Sequence, residues 1–327
     1  MPENQKTPMF SKTPVLVAVA VFCCMLWGSA TPAIKTGYRL LEVEGVASIM
    51  LFAGLRFFLA GLLTIAIFSL AQRRFLFPRK ENIKYVLHVS VFQTIVQYIF
   101  FYLGLHYTTG VKGTVASGSG AFFAVIIATL LYKQEKLTVK KIVACVAGFG
   151  GILLMNVNSL SAKGGGEDLM GVGFVLLSTI AASVSSVLMK RYSEHEYPVT
   201  LSGYQFMIGG LFMVGVGLAF GGNMNMANPG GVLDLVYLAF LSAIAYSLWS
   251  ILLKYNPVSK VSVFNFMTPL FGVLLTTIFL PGEASRVETW QLICTLILIS
   301  FGILLLNVRS KETSEKQKEQ DENQIKT

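Results

Sequence analysis

The sequence predicts an all-α integral membrane protein of ten transmembrane helices, arranged as two inverted five-helix repeats. Hydrophobic residues make up 54% of the 327 residues and charged residues 13%, with a mean hydropathy of +0.65. Soluble domains carry about 25% charged residues. Here the charges gather in short clusters between long uncharged segments, as a bilayer requires because hydrocarbon excludes charge. The two halves of the chain also resemble each other.

Ten segments are long and apolar enough to span a bilayer. A helix needs about 20 apolar residues to cross roughly 30 Å of hydrocarbon. The first segment is too long for the apolar region of a cleaved signal peptide, so we expect it to remain as a helix. The segments are 14–36, 46–70, 84–105, 110–132, 139–157, 168–190, 199–220, 231–253, 261–281 and 288–308.

These segments form two units joined by a linker. Residues 14–157 are the predicted first five-helix repeat and residues 168–308 the second. Residues 158–167 contain three consecutive glycines and are predicted to be a flexible external linker. The polar tails 1–13 and 309–327 are predicted to lie in the cytoplasm.

The distribution of Lys and Arg sets the orientation. With the N-terminus inside, twenty basic residues lie in cytoplasmic segments, five lie outside, and Arg56 lies within a span. This is the bias that the positive-inside rule describes. We therefore expect a multi-pass protein of the plasma membrane with both termini cytoplasmic. The net charge of +9 reflects this topology and predicts no nucleic-acid partner.

The two halves align at offsets of 148 to 151 residues. An odd number of spans in each half means that the second copy enters the membrane from the other side. Many secondary transporters use such inverted repeats to hold a solute site near the midplane and expose it alternately to each side. The matching pairs are Tyr98 with Tyr246, Tyr107 with Tyr255, Lys112 with Lys260, Glu135 with Glu283, Phe57 with Phe206, Gly61 with Gly210, 151–154 with 302–305, and Asn156 with Asn307.

Several short motifs resemble the EamA-like family of the drug/metabolite transporter superfamily over almost the whole chain. They are Trp27-Gly28 followed by Lys35, Arg56-Phe57 with Ala60, Glu135 followed by Leu137-Thr138, and Pro269 followed by Glu283. The resemblance implies ten helices, no cofactor, and transport or export of small organic solutes such as amino acids. One feature departs from the family pattern: Ala121 stands in the fourth span where the family often has proline.

Arg56 is the candidate residue with the clearest physical signature. It lies about ten residues into the second span, roughly 15 Å deep, where an unpaired charge costs at least about 2.5–3.5 kcal/mol. The side chain must therefore face protein or water and have partners. Two interpretations remain open: an anchor for a carboxylate of the solute, or a structural arginine that bonds helix carbonyls and polar neighbours.

Other polar and aromatic residues are predicted to line the same midplane pocket. Tyr102 and Trp249 lie close enough to the membrane surfaces to be interfacial anchors instead, and Trp27 is either a pocket wall or a packing residue. Small residues between Ala181 and Ser186 are expected to allow close helix packing. The predicted solute-binding residues are Arg56, Gln93, Gln97, Tyr98, Tyr246, Ser117, Ser119, Asn265, Trp27 and Trp249.

Two spans contain residues that weaken a helix. Gly118 and Gly120 in the fourth span and Pro269 in the ninth are candidate hinge positions, because interrupted helices free backbone groups that can bind solute. Close packing through small residues is the alternative. Glu135 and Glu283, at repeat-equivalent membrane exits, are candidate gating or hinge residues.

The sequence lacks several motifs, and their absence limits the classes of function that we predict. The four cysteines and three histidines show no metal-ligand spacing, and no phosphate-binding motif is present, so we predict no cofactor, no metal site and no enzyme. No Asp or Glu lies deep in any predicted span: Asp168, Asp234 and Glu288 lie within about one turn of the external surface, with Asp234 the deepest. Because proton-coupled carriers commonly use a buried carboxylate, this absence favours facilitated diffusion, exchange or coupling through a surface carboxylate. A channel, or a protein that handles lipids or larger anions, remains the alternative to a transporter of small solutes. No oligomeric state is predicted.

Overall fold

A computed structural model describes residues 9–130, 138–155, 166–280 and 288–307, and within those ranges every regular element is a helix. The prediction of an all-α protein is confirmed. The helices are α1 Thr13–Leu40, α2 Gly45–Ala71, α3 Lys80–Tyr107, α4 Gly110–Ser117, α5 Gly120–Leu130, α6 Val139–Met155, α7 Gly166–Tyr192, α8 Pro198–Ala219, α9 Pro229–Tyr255, α10 Val258–Ser262, α11 Met267–Phe279 and α12 Thr289–Asn307.

Eight helical segments of the described chain are long and apolar enough to cross a membrane. α4 with α5 forms one of them, and α10 with α11 forms another. The helices α6 and α12 have 17 and 19 residues, and their apolar stretches, Ile142–Gly151 and Thr289–Gly302, are shorter. The fold is that of a multi-pass membrane protein, while the count of ten spans stays a prediction. Glu135 and Glu283 lie outside the described residues, and α7 begins at Gly166, inside the predicted linker.

Prolines and side-chain caps explain where several helices begin. Pro198 and Pro229 occupy the first turns of α8 and α9, where the missing N–H leaves no hydrogen bond unmade. The Asn228 side chain accepts hydrogen bonds from the N–H groups of Gly230 and Gly231, at 3.0 and 3.2 Å. This is the capping interaction that the free N–H groups of a first turn require.

Glycines bring α2 and α8 into close contact. A Cβ atom added to Gly54 would lie 2.5 Å from Val214 N and 2.8 Å from Gly210 O, and one added to Gly61 would lie 2.6 Å from Gly203 O. Only residues without a side chain allow two helix backbones to approach this closely, which is how membrane helices gain packing energy.

The other helix interfaces come in matching sets. α6 packs against α12, as α2 packs against α8. α1 packs against α9 and α11, and α7 packs against α3 and against α4 with α5. We call the end of the bundle where α1 begins and α7 and α9 end the N-terminal face, and the other end the opposite face.

Two of the spans are interrupted, and the interruption in the first touches the beginning of α11, just after the interruption in the second. Gly118 and Ser119 form a turn between α4 and α5, and a 3-10 turn, Val263–Phe266, separates α10 from α11. A Cβ atom added to Gly118 would lie 2.6 Å from Pro269 Cγ, so glycine permits this close approach. A third irregularity is a π-helical turn at Ser90–Val96 within α3, a feature that is frequent at functional sites.

Candidate functional site

A polar cavity of about 140 Å³ lies in the middle of the bundle, between helices of both halves. Nine of the ten predicted solute-binding residues line it. They are Trp27, Arg56, Gln93, Gln97, Tyr98, Ser117, Tyr246, Trp249 and Asn265. The tenth, Ser119, is buried beside the cavity, where its hydroxyl donates to Ala116 O at 2.8 Å and lies 3.1 Å from Thr179 Oγ1.

Arg56 is buried, with 1% of its surface exposed, and all its hydrogen bonds within the described residues go to neutral groups. Nη1 donates to Tyr102 Oη at 2.6 Å, Nη2 to Ser242 Oγ at 3.0 Å, and Nε to Leu238 O at 3.3 Å. The guanidinium carbon also lies 4.9 Å from the centre of the Phe57 ring. These contacts tie α2 to α3 and α9, which fits the structural interpretation of Arg56 while leaving its edge in the cavity wall.

Tyr102 and Trp249 are not interfacial anchors. Tyr102 is completely buried and bonds Arg56, and Trp249 is 4% exposed with its ring 4.8 Å from that of Trp27. The interfacial interpretation is wrong for both because each side chain points into the bundle rather than towards lipid. With Tyr246, 5.1 Å from Trp27, the two tryptophans form an aromatic wall of the cavity.

Residues that the sequence repeat pairs also meet each other at the cavity. The Tyr98 and Tyr246 hydroxyls are hydrogen-bonded, and Phe57 stacks on Phe206 with ring centres 5.2 Å apart. Under a two-fold rotation that exchanges the halves, a residue can touch its own counterpart only near the rotation axis. The cavity therefore lies where such an axis would pass.

A second pair of contacts follows the same relation. The offset of 149 places Arg56 on Gln205, and the offset of 148 places Thr94 on Ser242. Arg56 donates to Ser242 Oγ, and the Thr94 hydroxyl donates to Gln205 Oε1. The hydrogen bond between α2 and α9 and the hydrogen bond between α3 and α8 therefore occupy equivalent positions in the repeat. The first uses the guanidinium of Arg56 and the second uses the side-chain amide of Gln205.

The cavity wall holds unused hydrogen-bonding groups. Trp27 Nε1, a donor, and Gln97 Oε1, an acceptor, are buried and have no partner within the described chain. The other end of the Gln97 amide donates to Tyr246 Oη at 3.3 Å. Buried polar atoms without partners are uncommon and unfavourable, so these two groups are available to a polar ligand.

Sequence reasoning missed the contribution of α7. The small residues between Ala181 and Ser186 were expected to serve helix packing, but five hydroxyl-bearing residues of α7 line the cavity: Ser178, Thr179, Ser183, Ser185 and Ser186. The spacing of Thr179, Ser183 and Ser186 at intervals of four and three residues places them on one helix face. This spacing in the sequence could have identified α7 as a wall of the cavity.

The two ends of the cavity differ. At the opposite face, Lys112 Nζ lies 2.5 Å from Asp168 Oδ2, the Thr108 hydroxyl also donates to Asp168, and Lys35 Nζ donates to Thr108 O at 3.0 Å. The two contacts of Asp168 cross between the halves, whereas the Lys35–Thr108 contact lies within the first half. Towards the N-terminal face, the lining continues down α7 and α9 to Met189 and Leu253. The cavity is therefore displaced towards the N-terminal face.

The EamA-like transporter family model matches this chain twice, at residues 15–157 and 169–308. The chain belongs to the EamA-like transporter family. The predicted family is thus confirmed, and the protein is a membrane transporter rather than an enzyme. Among the described residues, no group of three or more His, Cys, Asp or Glu side chains is placed to hold a metal ion.

Relatives of this EamA-like protein occur in distant organisms. A WAT1-related chloroplastic protein of Arabidopsis thaliana is 25% identical over 84% of this chain and 66% of that protein. The uncharacterized transporter YvbV of Bacillus subtilis is 24% identical over 92% of this chain and 93% of its own. A crystal structure covering 92% of this chain, and 99% of its own, superposes with a TM-score of 0.69 at 17% identity, which establishes the shared fold.

Proposed function

We propose that this protein is a secondary transporter of small polar metabolites such as amino acids, working as an exporter, exchanger or uniporter by alternating access around the central cavity. The observation that carries the proposal is the meeting of repeat-related residues: Tyr98 with Tyr246 at the cavity wall, and Phe57 with Phe206 directly behind it, where the Phe57 ring lies 4.0 Å from that of Tyr98. An axis lying in the membrane plane would relate the halves as inverted repeats, the arrangement that lets two halves rock around one site.

The matching interfaces and the double family match support this symmetry. If the two halves are exchanged, α1 corresponds to α7, α9 to α3, and α11 to α4 with α5. The contacts of α1 with α9 and α11 then correspond to the contacts of α7 with α3 and with α4 and α5. The family model matches residues 15–157 and 169–308 as separate copies. Both observations favour ten spans in two inverted units.

In the proposed orientation, both termini are cytoplasmic and the protein lies in the plasma membrane. The N-terminal face is then cytoplasmic, because twenty of the basic residues lie in segments on that side. The Lys112–Asp168 pair closes the external side, and the cavity extends towards the cytoplasm. In this proposal, the form described here is directed inward. A continuous channel would not need an ion pair across one end.

The chemistry of the cavity favours solutes that both donate and accept hydrogen bonds. Arg56 supplies positive charge, Trp27 Nε1 and Gln97 Oε1 supply a free donor and a free acceptor, and α7 supplies hydroxyls. Within the described chain no carboxylate lines the cavity. Gly118 and Pro269, which lie against each other, are the proposed hinges, and Ser117 and Asn265, related by the offset of 148, present polar groups to the cavity near them.

A thermal-shift screen of the purified protein against a metabolite library tests the proposal. A metabolite that binds the folded form raises its melting temperature. We expect Arg56→Ala and Gln97→Ala to weaken that metabolite's binding by about five- to 150-fold, because each removes a polar contact worth roughly 1–3 kcal/mol. Reconstituted vesicles should show the same order of effects on counterflow.

Thr277→Ala provides the matched control. Thr277 lies on the exposed side of α11 and its hydroxyl bonds only Val273 O of the same helix, at 2.8 Å. This variant should bind and transport as the wild type does. Melting temperatures without metabolite separate a folding defect of Arg56→Ala from a binding defect. Unchanged binding and flux in folded Arg56→Ala and Gln97→Ala would overturn the assignment of the pocket.

A further inference from the structure

Asp234 is an acidic residue within α9 whose carboxylate has a buried, unpartnered oxygen. Its Oδ2 atom is shielded from solvent and receives no hydrogen bond from the described chain. It lies against the backbone of α1, where a Cβ atom added to Gly37 would come 2.6 Å from it. An ionised carboxylate without a donor in such a place is unfavourable, whereas the protonated, neutral form is tolerated.

The charged and titratable groups around Asp234 come from three other helices. Arg56 of α2 and Tyr102 of α3 interact with it electrostatically. Tyr38 of α1 follows Gly37, has an unpartnered buried hydroxyl, and has its ring 6.2 Å from that of Tyr102. The adjoining part of α8, residues 210–219, has no titratable side chain. Asp234 thus interacts with one cation, Arg56, and one tyrosine, Tyr102, and Tyr38 lies beside that tyrosine.

Asp234 lies on the same face of α9 as the two residues that accept hydrogen bonds from Arg56. Leu238 and Ser242 follow it at four-residue intervals, so the three residues share one face of α9. Arg56 donates to Leu238 O and Ser242 Oγ. Asp234 is therefore one helical turn further towards the opposite face, with Arg56 between it and the cavity.

The packing of the fold does not require a carboxylate here. The offset of 148 places Asp234 on Val86 of α3, which is 1% exposed in an apolar cluster. Asp168, another aspartate near the opposite face, is paired with Lys112. The sequence thus departs from its own internal repeat at the one acidic position close to Arg56.

We infer that Asp234 is an intramembrane proton-binding site, loaded from the opposite face and linked through Arg56 to the solute cavity. A hydronium ion in the water at that face transfers one proton: its O–H bond breaks, an O–H bond forms on the carboxylate, and a water molecule remains. Loss of the negative charge leaves Arg56 more strongly positive towards the cavity, so a proton on Asp234 strengthens binding of an anionic group there. Linkage is reciprocal, so an anionic group in the cavity retains the proton. The link to transport rests on the proposed function, but proton binding itself does not.

Infrared spectroscopy of the protein in lipid bilayers tests the proton site without any solute. A protonated carboxylic acid shows a carbonyl band that is lost on ionisation. The chain has only three aspartates, Asp168, Asp234 and Asp321, so aspartate labelled with carbon-13 in its side-chain carboxyl group identifies the band. We expect a label-sensitive band that titrates in wild type and in Asp168→Asn and is missing in Asp234→Asn.

Two further variants keep the test decisive. Asp234→Glu retains a carboxyl group and should show the band, now insensitive to labelled aspartate, even if Asp234→Asn folds poorly. Arg56→Gln removes the cation that favours ionisation, so the band should persist to higher pH. A band that Asp234→Asn leaves unchanged, or no label-sensitive band at any pH at which the protein is folded, would overturn the inference.

Coupling is measured separately in proteoliposomes that contain a pH-sensitive dye. The metabolite with the largest thermal shift is added under a pH gradient, and solute and proton fluxes are followed together. Asp234→Asn should lose gradient-driven accumulation and keep counterflow. If no metabolite binds, the proposed function fails while the infrared result stands; if flux occurs without proton movement in wild type, the link fails while the transporter assignment stands.

Discussion

Arg56 carries a positive charge into the bundle and bonds only neutral groups among the described residues. Its depth was predictable, because position within an apolar segment fixes depth. Its partners were not, since Tyr102 and Ser242 are 46 and 186 residues away in the chain. The same limit explains the errors on Tyr102 and Trp249: distance from the membrane surface was readable, but the direction of each side chain depends on which helices meet.

Glu196, between α7 and α8 at the N-terminal face, gives a pH-dependent prediction. Partial burial raises its pKa, but hydrogen bonds from Arg79 N, Asn82 Nδ2 and Tyr197 N outweigh burial and bring the pKa below its usual value. A lowered folded-state pKa stabilises the fold above the ordinary glutamate range, and that contribution disappears as the pH falls through the folded-state pKa.

Glu196→Gln should therefore melt slightly below wild type at neutral pH, by less than about 1 kcal/mol of stability because the group is largely solvated. The difference should vanish at acidic pH. Melting temperatures across a pH series measure it. Glu194→Gln, at an exposed position two residues earlier, is the control and should follow the wild-type curve. A constant gap between Glu196→Gln and wild type at every pH would contradict the assignment.

At the scale of helices, apolar periodicity predicted where helices run but not where they break. The interruption at Gly118 was a candidate from sequence, whereas the π-helical turn at Ser90–Val96 was not, because SVFQTIV contains no glycine or proline. Such a turn depends on tertiary contacts: a Cβ atom added to Gly209 of α8 would lie 2.6 Å from Thr94 Cβ and 3.0 Å from Ser90 Oγ.

The glycine contacts between α2 and α8 give a prediction with an internal control. A Cβ atom added to Gly210 would meet the backbone of Phe58 and come 2.8 Å from Gly54 O, while Gly215 on the same helix has nothing within 4 Å. Gly210→Ala should destabilise the protein by about 1–3 kcal/mol, the usual effect of overpacking. Gly215→Ala should be neutral or stabilise by up to about 1 kcal/mol, because alanine favours helix.

Thermal melting of both glycine variants in the same detergent measures the difference. Each adds one methyl group to α8, so helix propensity acts equally on both and only the helix interface distinguishes them. Equal melting temperatures for the two variants would mean that α2 and α8 do not pack through their glycines. Transport by Gly215→Ala should remain at the wild-type level.

At the scale of the whole molecule, the repeat was readable because a few residues kept their identity in both copies. Tyr98 and Tyr246 kept theirs at the cavity, where they touch. The cavity wall from α7 was only partly readable this way: the offset of 148 places Thr179 on Thr31, which also lines the cavity, but it places Ser183 on Lys35, which does not. An internal repeat therefore revealed the axis of the molecule, while the solute site around it includes residues unique to one half.

Inverted repeats predict opposite sides for equivalent loops, and cysteine labelling can test this. Glu135 and Glu283 follow the fourth and ninth predicted spans. In a background lacking Cys23, Cys24, Cys145 and Cys294, we expect an impermeant thiol reagent applied to intact cells to label Glu283→Cys, and to label Glu135→Cys only after the cells are opened. The reason is that five spans separate the two positions, so the chain crosses the bilayer an odd number of times between them.

Glu194→Cys calibrates the labelling experiment, because Glu194 lies in the exposed loop between α7 and α8 at the N-terminal face. It should behave as Glu135→Cys does. Labelling of Glu135→Cys and Glu283→Cys from the same side would mean an even number of crossings between them. The halves would then be related by an axis along the membrane normal, and one rocking motion could no longer expose the cavity between Tyr98 and Tyr246 to each side in turn.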